Sequence, residues 1–177
     1  IIDLSPFYEF LKGEIGKLNI EGAAIVQNDI FLFQRGNKKN KLNASIRIGL
    51  VDFYRVLSQP HEYYEPRIQI TPYDLGEIEE VPLCFTDATS LPTGEIVFTA
   101  SAENTSDAYL DGACMGSVIG IINSKGDLSS LEPIDKKIKL EGLVATSHDK
   151  SIDILLVTDA DDATRPAQLY SARVHQQ

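Results

Sequence analysis

Glu21, Asp87 and Glu141 each precede small or apolar residues, in Asn19-Ile20-Glu21-Gly22-Ala23-Ala24, Phe85-Thr86-Asp87-Ala88-Thr89 and Lys139-Leu140-Glu141-Gly142-Leu143-Val144. Carboxylates recurring at one repeat position and projecting toward a common axis repel one another unless a counter-charge holds them. A hard cation such as Ca²⁺ would satisfy such a ring through carboxylate, amide and carbonyl oxygens. Arg35 is the alternative counter-charge and needs no metal. A second polar set follows at matched offsets. Arg35, Ser101 and Asp159 lie five residues after Ile30, Ile96 and Ile154, and Asn37, Glu103 and Asp161 lie seven after. Asn43, Asn104, Asp107 and Asp111 fall on adjoining loops, so Arg35, Asn37, Asn43, Glu103, Asp111, Asp159 and Asp161 make a candidate ligand site at one concave mouth. The competing reading is that Asp, Asn and Gly recur there because turns favour them.

The elements that must position these residues are themselves repeated. Each acid leads to a second apolar run: Asp29-Ile30-Phe31-Leu32-Phe33, Glu95-Ile96-Val97-Phe98-Thr99 and Asp153-Ile154-Leu155-Leu156-Val157. Glu21 to Asp29 and Asp87 to Glu95 both span eight residues, and the longer third spacing absorbs its insertion in the polar turn Ser147-His148-Asp149-Lys150. One such unit cannot bury its own apolar face, so the copies must pack on one another. The expected fold is all-β, a β-propeller with about three four-stranded units over 19–80, 81–138 and 139–177, behind a leading helix and linker at 1–18. The acids recur 66 and then 54 residues apart, longer than the roughly 40 to 50 of a common propeller repeat, which implies long connections.

Within the units, strands are expected at Ala23–Val26, Ile30–Phe33, Ala44–Ile48, Arg67–Thr71, Val81–Phe85, Ile96–Ala100, Val118–Ile122, Leu128–Ile134, Leu143–Thr146, Ile154–Thr158 and Gln168–Val174. Val51–Leu57 reads as an extra strand or a helix. The leading helix would take Ser5 as its cap, Pro6 at its first position, and Gly13 or Gly16 at its end. The third unit stops after three strands, leaving an edge that further blades of the same protein or self-association would cover.

Ser5-Pro6-Phe7-Tyr8, Leu18 to Ala24, Phe31 to Asn37, Phe85-Thr86-Asp87, Leu140-Glu141-Gly142 and Val157 to Asp161 together resemble an uncharacterised bacterial family of phytase-like β-propeller proteins. The resemblance covers most of the chain. It implies a six-bladed propeller of which this chain supplies about half, its C-terminal part, and wider relatives of esterase-like or phytase-like kind.

Other features narrow the function. A net charge of −10 argues against a nucleic-acid partner, and Lys38, Lys39 and Lys41, the only dense basic cluster, read as a solvated loop. No run of 18 apolar residues is present, so no helical membrane span is expected. The chain begins with Ile and shows no leader pattern, which suggests a processed or partial chain. Cys84 and Cys114 sit among small or apolar residues and read as buried free thiols. Gly-x-Ser-x-Gly, phosphate-loop, His-Glu-x-x-His and Cys-x-x-Cys signatures are missing, and His61, His148 and His175 are scattered. Two functions of different class remain. One is a scaffold that binds a protein or small ligand at the mouth. The other is a cation-assisted hydrolase of phosphate or carboxylic esters, with Glu21, Asp87 and Glu141 on the metal and Arg35 on the substrate anion.

Overall fold

The computed structural model describes residues 1–59, 64–105, 112–134, 138–159 and 164–175. These form two helices, α1 (Ser5–Ile15) and α2 (Leu50–Ser58), and twelve strands. The strands are β1 (Ile20–Val26), β2 (Asp29–Gln34), β3 (Asn43–Gly49), β4 (Ile68–Tyr73), β5 (Glu77–Ile78), β6 (Val81–Ser90), β7 (Ile96–Glu103), β8 (Cys114–Ile122), β9 (Leu128–Pro133), β10 (Leu140–His148), β11 (Ser151–Thr158) and β12 (Leu169–His175). They make three antiparallel sheets, ordered β1-β2-β3-β4, β5-β6-β7-β8-β9 and β10-β11-β12. Each sheet is a meander of sequence neighbours, which short turns permit. In the β8–β9 turn, for example, Asn123 Oδ1 accepts the N–H groups of Lys125 and Asp127 at 2.9 and 3.0 Å, and Gly126 takes φ 90°.

The eleven strands expected from apolar runs all occur, and β5 is an additional two-residue strand. Val51–Leu57 lies in α2. The first helix begins one residue earlier than its sequence pattern suggests: Ser5 is already helical, and its N–H donates to Asp3 Oδ1 at 2.9 Å. Gly13 continues the helix, and Gly16 at φ 79° ends it.

Two apolar layers join the sheets in sequence order, and a third packs the helices on the first sheet. Between the first and second sheets Phe33, Phe85 and Phe98 are fully buried, with Phe85 edge-on to both neighbours at 5.1 and 4.9 Å. Between the second and third, Val97, Ile119 and Ile121 meet Leu140, Ile152, Ile154 and Leu156. The outer face of the first sheet, Ile30, Leu32, Ile46 and Ile48, is covered by Phe7 and Leu11 of α1 and Val56 of α2. The opening strands β1 of the first sheet and β10 of the third both lie against β6 of the second.

The register corrects the sequence alignment by one residue. In β1 the pairing steps from Ile20 with Gln34 to Gly22 with Phe33, in β10 from Leu140 with Thr158 to Gly142 with Val157, and in β6 from Phe85 with Ala100 to Asp87 with Thr99. All three strands therefore carry a β-bulge at one position, and the inserted residues are Glu21, Thr86 and Glu141. Asp87 corresponds to Gly22 and Gly142. The equal spacings in the sequence arise because the second hairpin turn is one residue longer. Leu91 N–H donates to Glu95 O at 2.8 Å around Pro92-Thr93-Gly94, where the first hairpin turns on Gln27-Asn28.

Candidate functional site

The bulges and the adjoining strand ends assemble a buried ion cluster shared by all three sheets. Arg35, just past β2, places Nη1 3.6 Å from Glu21 Oε1 and donates from Nη2 to Glu103 Oε2 at 2.5 Å. Lys139, just ahead of β10, places Nζ 2.9 Å from Glu103 Oε1 and 3.2 Å from Glu141 Oε1. Lys139 thus bridges a carboxylate of the second sheet and one of the third. The side chains of Arg35, Glu103 and Lys139 are only 11, 6 and 8% exposed. Equivalent backbone bonds fix the two cations on opposite sides of the ladder: Arg35 N–H donates to Asn19 O at 2.8 Å, and Asp159 N–H to Lys139 O at 3.3 Å, so Arg35 matches Asp159 and Lys139 matches Asn19.

Burial works against the Arg35 charge, but Glu103, Glu21 and Glu141 outweigh it and raise its pKa. Desolvation raises the pKa of Glu141 above the usual glutamate value, with Lys139 pulling the other way. Three carboxylates thus surround two fixed cations.

Asp87 does a different job from the one its sequence position suggested. Its Oδ2 accepts Leu143 N–H at 2.8 Å from β10, and its Oδ1 accepts Ala88 N–H at 2.8 Å. Burial raises its pKa, and these two bonds oppose the rise. On its other side Gly22 approaches so closely that a Cβ there would lie 2.8 Å from Ala88 N and 3.0 Å from the Asp87 carbonyl carbon. Asp87 therefore latches the second sheet to the third, while its backbone seats the first. Thr86, in the bulge position, is fully buried and its hydroxyl bonds that of Thr99 at 2.9 Å.

The remaining candidates separate. Asn43 is buried at the seam of the first two sheets: its Oδ1 accepts Gly36 N–H at 3.1 Å and Phe85 N–H at 3.3 Å, and its Nδ2 donates to Leu83 O at 2.8 Å. Asn37 shapes its own turn, accepting the N–H groups of Lys39 and Asn40 at 2.9 and 2.8 Å. Ser101 is fully buried against Ser117, 2.7 Å between hydroxyls. Lys38, Lys39 and Lys41 are exposed. Asp111 and Asp161, with Asp107 and His61, lie outside the described residues. Asp159 lines a cavity of about 530 Å³ with Gln168, Thr158, Arg165, Cys114 and Lys139. The cavity and the ion cluster thus meet at Lys139.

As a calcium site the proposed trio does not fit. Asp87 is turned to backbone N–H groups, and an ammonium and a guanidinium already supply counter-charge to Glu21 and Glu141. Among the described residues no group of three or more His, Cys, Asp or Glu side chains is arranged to hold a metal ion. Cys84 is buried, and desolvation pushes its thiol up to about 11, which makes it a poor nucleophile near neutral pH.

Lys139 is the central residue that sequence reasoning missed. It occupies the position of Asn19 in the repeat, two residues before a bulge acid, and that match was available in the sequence. No curated protein and no solved structure matches the chain. A family of unknown function, DUF6929, matches residues 1–174, and the chain belongs to it.

Proposed function

We propose that this chain is a non-catalytic binding scaffold, with three successive blades of a β-propeller over about 19–80, 81–138 and 139–177. A small polar anion or an acidic protein segment would seat in the cavity beside Lys139. The observation that carries this reading is the placement of Arg35 and Lys139 among the carboxylates, where a catalytic cation would otherwise have to sit. The cluster then serves to hold the inner strands together, and chemistry at the mouth is recognition. Arg165 brings a guanidinium to the cavity, Gln168 and Thr158 bring an amide and a hydroxyl, and Asp159 adds a carboxylate that favours a ligand with its own hydrogen-bond donors. The hydrolase alternative needs a metal or a nucleophile with a base, and among the described residues no group of three or more His, Cys, Asp or Glu is arranged to hold a metal ion.

The test is a thermal-shift screen against small carboxylates and phosphate monoesters, run on the wild type and on Arg165→Ala and Gln168→Ala. A ligand at 100 times its Kd adds about 2.7 kcal/mol of apparent stability. A wild-type shift that both variants reduce supports binding at this mouth. Turnover of an ester by the purified chain, lost in Glu21→Gln, would overturn the non-catalytic reading.

A further inference from the structure

Asn43 and Ser117 hold the same place in successive sheets. Gln34 and Ala100 lie four residues after Ile30 and Ile96, and their strand partners are Ala44 and Val118, the residues that follow Asn43 and Ser117. Each of the two side chains reaches across a seam and bonds the backbone on both sides of one residue. Asn43 Nδ2 donates to Leu83 O at 2.8 Å and its Oδ1 accepts Phe85 N–H at 3.3 Å, so the pair of bonds flanks Cys84. Ser117 Oγ donates to Ile138 O at 2.6 Å and accepts Leu140 N–H at 3.4 Å, which flanks Lys139. Phe85 and Leu140 are the last paired residues before the bulges of β6 and β10, so the bonded positions correspond as well.

A hydroxyl has one proton to give and two lone pairs. Ser117 is fully buried, and with its proton on Ile138 O the 2.7 Å contact to Ser101 Oγ is one that Ser101 donates, so all its capacity is used. Both peptide units next to Lys139 are thereby tied to the second sheet, and its side chain starts from a fixed point. From there Nζ lies 2.9 Å from Glu103 and 3.2 Å from Glu141. Hydrogen bonds that fix the backbone beneath a charged side chain hold its geometry. At the first seam the same clip presents Cys84, whose thiol burial keeps neutral.

We infer that Ser117 is a positioning residue for Lys139, its hydroxyl fixing the backbone from which the ammonium meets carboxylates of two sheets. The inference stands on the ion cluster and does not depend on a ligand at the mouth. Around Lys139 and its partners lie Glu103 of β7, Glu141 of β10, Glu21 of β1, Arg35 after β2 and Asp159 after β11, with the Cys114 thiol of β8 pushed up by burial. Displacing the ammonium makes charged Glu141, whose pKa burial already raises, more costly to hold, so the loss of stability grows as pH rises.

Thermal melts of Ser117→Ala, alone and combined with Lys139→Met, test this. The expected drop in Tm is about twice as large near pH 8 as near pH 5, and it shrinks by about half or more in the Lys139→Met background. Asn43→Ala opens the clip around uncharged Cys84 and should lower Tm equally at both pH values. Ser117→Cys, with a weaker donor, replaces Ser117→Ala should that variant not fold. A Ser117 loss that is equal at both pH values, or that stays whole in the Lys139→Met background, would overturn the inference and leave the hydroxyl a seam hydrogen bond without bearing on Lys139. The same pH slope in Asn43→Ala would overturn it too, because the slope would then belong to loosening of any seam.

Discussion

Replacing Lys139 with Met keeps the length of the side chain and removes its charge. Glu103 then retains Arg35 at 2.5 Å, but Glu141 loses the cation 3.2 Å away. Removing one partner of a buried ion pair costs about 3–5 kcal/mol, because the abandoned charge stays desolvated. Glu141 is 23% exposed at its side chain, so the low end applies, about 3 kcal/mol. For a chain of this size that lowers Tm by roughly 6–12 °C. The loss should depend on pH in a defined direction. A carboxyl whose folded pKa lies above its unfolded value contributes stability below the unfolded value and loses it as pH rises through the folded one. Burial already raises Glu141, and without Lys139 it rises further, so the deficit is largest near pH 8 and shrinks toward pH 5. Urea melts followed by far-UV circular dichroism measure this, with fluorescence from the seven tyrosines as a second probe in a chain without tryptophan. Lys139→Met combined with Glu141→Gln should recover about 1 kcal/mol or more through direct coupling. A single-variant loss under about 1 kcal/mol, or a loss independent of pH, would refute the reasoning.

Substitutions at three further positions probe the core, a turn and the latch. Gly120→Ala would place a Cβ 2.1 Å from Cζ of the fully buried Phe98, so overpacking should cost about 3 kcal/mol or more, read as a drop in Tm. Gly126→Ala, with open space but φ 90°, should cost only about 1 kcal/mol. Asp87→Ala removes the acceptor of Leu143 N–H and of Ala88 N–H and should cost about 2–3 kcal/mol. Because burial raises the Asp87 pKa, the wild type loses stability as pH climbs above the ordinary value of 3.8, and Asp87→Asn should flatten that part of the stability profile in pH-dependent melts.

Strands and hairpins were legible because their signals are local. The apolar runs at Ile30, Ile96 and Ile154 do mark equivalent second strands, and Arg35, Ser101 and Asp159 do occupy equivalent positions after them. The bulge was not legible, because a turn one residue longer in the second hairpin cancelled the one-residue offset between Asp87 and the two glutamates. Asn43 shows a second reason. Its donors and acceptors are Gly36, Leu83 and Phe85, and only the packing of two sheets brings those together. Lys139 stands between apolar Ile138 and Leu140, where a charged residue is costly unless paired. That local oddity is the sign of an ion pair that the sequence carries.

The most direct measurement of the central claim is the thermal melting of purified chain in Ca²⁺ and in chelator, with elemental analysis of the same sample for divalent ions. If Arg35 and Lys139 neutralise the inner carboxylates, Tm is the same in both buffers and no stoichiometric ion is found. A bound ion at one per chain, whose removal by chelator lowers Tm, would contradict the account and restore the metal as the counter-charge.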